Sequence, residues 1–217
     1  VFVDYGGGRG VMSLVAKEMG IGTVIYLDIY DVSCNDVKHL AKALDLTLEH
    51  IICGEIDDLV QYLNNHSIAI HSITSFDVIE HVYDIDAFMQ RMGQLRHSSL
   101  RIVHGSGANI RNPLYVYQTT RMQKDVEHRD RPRVWGSKER DTLKSYYSVR
   151  LEIIQQCAPD LSSSDAVKLA HLTRGLQAED IQRAAAEYKS RGEISYRPDH
   201  PTNTCDPYTG NWAEHLM

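Results

Sequence analysis

Near the start of the chain, Gly6-Gly7-Gly8-Arg9-Gly10 combines residue types and spacing that can do chemistry. Glycines at alternate positions let a backbone turn tightly and approach a ligand with no Cβ in the way. The cluster follows the apolar run Val1–Asp4 and leads into a helical pattern. Free N–H groups and the positive end of a helix dipole therefore stand behind the turn. A loop of this kind holds a nucleotide-like cofactor. The dinucleotide fingerprint G-x-G-x-x-G/A does not fit: counted from Gly8 it ends on Ser13, and counted from Gly6 the final small residue is absent. The spacing is G-x-G-x-G, and an acid, Asp4, stands two places before the first glycine. A second acid, Asp28, closes the next apolar run, and a carboxylate there can accept from two hydroxyls at once.

Asp4-x-Gly6-x-Gly8-x-Gly10 resembles the first motif of the class I S-adenosylmethionine-dependent methyltransferases, and further segments follow in that family's order. The resemblance implies that Asp28 grips the two ribose hydroxyls of S-adenosylmethionine. Gly54-Glu55-Ile56-Asp57-Asp58-Leu59 is similar to the turn after the third strand, where an acid accepts from the adenine amino group. Glu55 holds that position, with Asp57 as its competitor and Ile56 between them. Phe76-Asp77-Val78-Ile79-Glu80-His81-Val82 resembles the fourth-strand segment of the small-molecule methyltransferase branch, which adds Asp77 to the cofactor set. The likeness covers residues 1 to about 110.

The resemblance also implies the reaction. The sulfonium cofactor is an activated methyl donor, so the protein has to align donor and acceptor and, where needed, remove a proton. His81, just beyond the fourth strand, and His104, at the end of the fifth, are the candidate bases. A rival reading uses overlapping residues. Asp77-x-x-Glu80-His81 resembles the metal-binding segment of the RNA 3′-terminal 2′-O-methyltransferases, with His128 as a fourth ligand for Mg²⁺. A third reading is a non-catalytic cofactor-binding or interaction module, because fold alone does not secure activity. The expected partner is a small-molecule acceptor for an O-, N- or C-methylation, with no resident metal and no nucleic acid.

The elements that must position these residues follow from periodicity. Apolar runs at Val1–Asp4, Thr23–Asp28, Ile51–Cys53, Ser75–Ile79 and Leu100–His104 alternate with helical patterns and glycine-bearing turns, which implies βαβ units and a parallel sheet. The first helix is expected to bury Val11, Leu14, Val15 and Met19. The second, capped by Ser33, is expected to bury Val37, Leu40, Ala41 and Leu44, and the fourth Ile85, Phe88, Met89 and Met92. The resemblance makes this an α/β, Rossmann-like, doubly wound sheet in the order 3-2-1-4-5.

From about Tyr115 to Arg191 nearly everything reads as helix, with Ser137 and Ser164 as caps and Gly175 and Gly192 as stops. The expected division is a cofactor-binding core over 1–114, a helical cap over the acceptor pocket at 115–196, and a loop-rich segment at 197–217. Tyr208 and Trp212 read as a surface turn or an aromatic lid, and Tyr146-Tyr147 as packing. The terminal antiparallel strand pair of the family is not found, so the fifth strand is expected to be a sheet edge. The chain is expected to be a fragment at both ends.

The chain has 217 residues, 42% hydrophobic and 24% charged, with a net charge of −6. That balance argues against a general nucleic-acid or anionic-membrane binder. No apolar run of bilayer length exists. Residues 121–150 are the exception in charge, with 9 Lys/Arg against 5 Asp/Glu, which reads as a solvated helical face or a surface meeting an anionic substrate. The four cysteines, Cys34, Cys53, Cys157 and Cys205, form no C-x-x-C pair and read as thiols of a reduced, cytoplasmic protein.

Overall fold

The computed structural model of the chain describes residues 1–95, 97–106, 111–133, 143–195, 204–206 and 210–212. Two compact units emerge, one from residues 1–79 and 84–107, the other from 80–83 and 108–217.

The first unit is an α/β sandwich. Strands β1 (Phe2–Tyr5), β2 (Val24–Asp28), β3 (His50–Cys53), β4 (Ile70–Phe76) and β5 (His97–Gly105) form one sheet in the order 3-2-1-4-5, all parallel. Helices α1 (Val11–Glu18), α2 (Asp31–Ala43), α3 (Ile56–Asn65) and α4 (Ile85–Gly93) make the crossovers. β1 and β2 are buried along their whole length, as strands covered on both faces must be. Phe2 and Val24 pack with Ala16 of α1, and Tyr26 packs with Cys34 and Val37 of α2, so these helices cover one face. Tyr5 points to the other face, where its ring meets Phe88 of α4 edge-on at 5.4 Å. Within the sheet β5 is the last strand, as expected.

Several boundaries differ from the sequence reading. β4 begins at Ile70, not at Ser75, because His71, Ser72, Thr74 and Ser75 break the apolar run that marks a buried strand. Val78 lies past its end, and Ile79–His81 is a short 3-10 turn. The first helix buries Ser13, Leu14 and Ala16 and exposes Val11, Val15 and Met19. Ser13 is drawn inward by Asp4, which rotates the helix away from its most apolar stripe. Likewise α2 starts at Asp31, so Ser33 lies buried inside its first turn; Leu40 and Leu44 are exposed while Val37 and Ala41 are buried. In α4 Phe88 and Met92 are buried and Met89 is exposed.

The second unit is helical: α5 (Pro113–His128), α6 (Tyr146–Cys157), α7 (Ser163–Leu172) and α8 (Ala178–Arg191). Its core gathers Val149, Ile153, Ile154, Leu169, Ile181, Ala184 and Ala185. Ser162, not Ser164, caps α7, its hydroxyl accepting from the Asp165 N–H. Gly192 ends α8 in the left-handed region. Ser137, Gly136 and Tyr208 lie outside the described residues, as does the side chain of Trp212. Thr204–Asp206 and Gly210–Trp212 pair antiparallel as β6 and β7 where the sequence reads as loop, and this hairpin is separate from the five-stranded sheet.

Arg150 holds the helical unit together. It is fully buried, its Nε donates to the Ala170 carbonyl at 3.0 Å, and its two Nη groups grip the Glu127 carboxylate. Arg174 adds a second cation, 3.9 Å from Glu127. Removing one member of such a group leaves an uncompensated charge in the core. Arg150→Ala is expected to cost about 3–5 kcal/mol in urea unfolding. The double variant Arg150→Met, Glu127→Leu should recover most of that loss; a double variant as unstable as Arg150→Ala would show that packing, and not the stranded carboxylate, sets the cost.

Candidate functional site

The chain turns from β1 into α1 over five residues, and the turn rests on two buried carboxylates. Asp4, 3% exposed, accepts from the Ser13 N–H at 3.0 Å and from the Ser13 hydroxyl at 2.7 Å. Burial pushes its carboxyl above the ordinary value, and the two Ser13 bonds work against that shift. Asp28, 5% exposed, closes β2 beside it. Its Oδ2 accepts from the Gly8 N–H at 2.8 Å and its Oδ1 from the Tyr30 N–H at 2.9 Å.

The loop between them is closely tied. Gly6 and Gly7 donate to the Leu27 carbonyl, Gly10 donates to Gly7, and the Tyr26 hydroxyl donates to the Gly8 carbonyl. Two glycines are held for different reasons. Gly10 has φ 78°, and a Cβ there would lie 2.1 Å from Val37 Cγ2. Gly8 has φ 55° with nothing within 4 Å of its missing Cβ, so the loop presents an open side next to Asp28. Each Asp28 oxygen keeps a further lone pair after its backbone bond, enough to accept one hydroxyl each. A nucleoside ribose fits that donor requirement.

Glu55, exposed, stands at the start of α3 and forms a reciprocal capping box with Asp58, whose Oδ2 accepts from the Glu55 N–H at 2.7 Å. Its competitor Asp57 is paired with Arg91 at 2.7 Å, and Ile56 is buried. Asp77, exposed, has φ 53° and donates its N–H to Gly105. Gly54 donates to the Asp28 carbonyl, which links the third-strand turn to the second.

The two candidate bases fall in different units. His81 is exposed at the end of the 3-10 turn, in a segment of the helical unit where the Tyr83 hydroxyl donates to Asp180 of α8 at 2.6 Å. His104 lies in the sheet unit on the face that carries α4. Its Nδ1 is 2.6 Å from the hydroxyl of buried Ser75, its ring lies 6.1 Å from Phe88, and its Nε2 is buried with no partner among the described residues. Burial holds the imidazole below its ordinary value.

Among the described residues no group of three or more His, Cys, Asp or Glu is placed to hold a metal ion. Of the alternative ligand set, Asp77 belongs to the sheet unit, and Glu80, His81 and His128 to the helical one. The His128 ring packs against Tyr147. The basic segment also changes character: Arg150 is core, Glu127 and Asp130 bond within the unit, and residues 134–142 lie outside the described set. Sequence reasoning missed Tyr26 and Ser13, which hold the loop from beneath. Ser13 could have been found from the need to satisfy a buried Asp4. Compared with known proteins, the chain matches no family model and no curated sequence.

Two outcomes are expected from this geometry. Gly8→Ala meets only the backbone cost of a left-handed residue, about 1–2 kcal/mol, whereas Gly10→Ala adds the collision with Val37 and should melt well below it in a thermal scan. A desolvated histidine stabilises the fold while neutral, and that contribution is present above its unfolded value of about 6.5 and lost as pH falls through its lower folded value. The wild type should therefore lose stability on acidification below about pH 6.5, and His104→Gln should lose less over the same range; parallel urea midpoints for the two proteins would refute it.

Proposed function

We propose that the chain transfers a methyl group from S-adenosylmethionine to an O, N or C atom of a small-molecule acceptor. The observation that carries this reading is the open side of Gly8 next to the buried Asp28 carboxylate, at the carboxyl end of a 3-2-1-4-5 parallel sheet. Ligands of open α/β sheets bind at this crevice, where the strand order reverses.

In this reading Asp28 receives the ribose hydroxyls, and the N–H groups at the start of α1 and the glycine backbone lie along the remainder of the cofactor. Asp4 acts from beneath by fixing Ser13 and hence the direction of α1. Glu55 takes the adenine amino group, since Asp57 is already engaged by Arg91. When bound, the cofactor supplies an activated methyl on a sulfonium. The protein's own work is alignment and exclusion of water, with proton removal at His104 where the acceptor requires it. A neutral His104 suits the role of proton acceptor in its protonation state.

The test is calorimetric titration of S-adenosylhomocysteine. Micromolar binding is expected, with Asp28→Ala abolishing it. Asp28→Asn, which keeps one acceptor oxygen, should weaken it on the order of tenfold to a hundredfold. Circular dichroism of each variant separates lost binding from lost folding. Absence of binding by the folded wild type refutes the proposal.

A further inference from the structure

Two cysteines far apart in sequence meet beside Asp28. Cys34 is buried in the first turn of α2, its Sγ 3.6 Å from the Asp28 carbonyl and 3.7 Å from the Ile52 carbonyl. The Ile52 carbonyl belongs to the peptide that leads into Cys53, so the Cys34 sulfur lies one peptide unit from the Cys53 backbone. Cys53 is paired in register with Asp28 across β2 and β3. Side chains alternate along a strand, which puts Cys53 on the same face as Ile51. Ile51 packs against the cluster of Tyr26, Cys34 and Val37. The Cys53 side chain therefore leaves its strand toward the turn that holds Cys34. Cys53 is exposed and Cys34 stands buried behind it.

We propose that Cys34 and Cys53 form an oxidisable pair that a peroxide converts to a disulfide at the edge of the cofactor site. The exposed Cys53 thiolate attacks a peroxide oxygen; the O–O bond breaks, the leaving hydroxide takes up a proton as water, and Cys53 becomes a sulfenic acid, oxidised by two electrons. The Cys34 sulfur then attacks the Cys53 sulfur. The S–O bond breaks, and the departing hydroxide carries off the Cys34 proton as a second water. Two thiols and one peroxide give one disulfide and two waters.

The two thiols have different parts because their surroundings differ. Burial, then the neighbouring Cys53 thiol and the negative charge of Asp28, push the Cys34 thiol up to about 12. Cys34 is therefore a protonated thiol in the resting protein and Cys53 is the group that meets the oxidant. Cys157 serves as an internal comparison: it is also exposed, but its thiol is turned to the Ile154 carbonyl of its own helix. The link to the cofactor rests on the reading of Asp28 as the ribose acid. Neighbouring strands lie about 4.8 Å apart, so a ribose held by Asp28 covers Cys53 and shields it from peroxide.

The experiment treats the reduced protein with hydrogen peroxide, alkylates the remaining thiols under denaturing conditions, and reads intact mass and a non-reducing peptide map. Two fewer alkyl groups than the alkylated reduced control, a further loss of about 2 Da for the two hydrogens, and a linked Cys34–Cys53 peptide, all reversed by a dithiol reductant, are expected. In Cys34→Ser the link is lost and a sulfenic acid at Cys53 is trapped by dimedone. Saturating S-adenosylhomocysteine should slow the wild-type linkage on the order of tenfold. Oxidation of Cys53 to sulfinic acid while Cys34 stays alkylatable overturns the pair. Linkage that forms but is not slowed overturns the ribose assignment of Asp28 and leaves the pair standing.

Discussion

A carboxylate taken out of water has to be hydrogen-bonded, and two of them lie under the β1–α1 turn. Asp4 and Asp28 are met by three main-chain N–H groups, those of Gly8 in the turn, Ser13 in α1 and Tyr30 after β2, joined by one hydroxyl, that of Ser13. Satisfying them dictates local structure. Ser13 must face the sheet, so α1 rotates and Val11, Val15 and Met19 go outward at the expense of apolar burial. The Gly8 N–H must face Asp28, so the loop lies against the end of β2. Tyr26 completes the arrangement by donating to the Gly8 carbonyl.

The same constraint prepares the loop for a ligand. Its polar groups are satisfied by the protein from one side, which leaves the Gly8 side open and the backbone already ordered. Ordering a loop on binding consumes part of the interaction free energy, and a loop held beforehand avoids that loss. Asp28 is central to the arrangement: its two backbone bonds fix the loop, and in the proposed reading its remaining acceptor capacity receives the ligand. Cys34 and Cys53 lie within the same small region, beside Asp28, which is where the proposed coupling between thiol chemistry and ligand occupancy would act.

Much of the sheet unit was legible because buried parallel strands are written in long apolar runs, as in Thr23–Asp28, and because glycine spacing reports backbone geometry directly. The strand order came with the family resemblance and the sheet bears it out. What was not legible shares a cause. The start of β4 is hidden by its polar residues: Ser75 bonds to His104, and Thr74 stands in the row of Asp4. The burial of Ser13 depends on Asp4, nine positions earlier, and periodicity within the helix cannot see that. The meeting of Cys34 with Cys53 needs the β2–β3 register, which the absence of a C-x-x-C spacing conceals.

Charge reading fails in the helical unit for a related reason. A run of basic residues counts as surface only while each cation has water to face, and Arg150 instead faces Glu127 in a core of Val149, Ile153, Ile154 and Leu169. A fixed bidentate pair restricts how α5 and α6 can pack, since sliding either helix would break two hydrogen bonds at once with no water to replace them. Apolar contacts alone tolerate such sliding far better. The helical unit thus has a specific internal arrangement of its own, set by a polar contact inside its core as the sheet unit's turn is set by Asp4 and Asp28. In both units the residues that choose one packing over its neighbours are buried ionisable groups, and the apolar residues supply the burial that keeps them there.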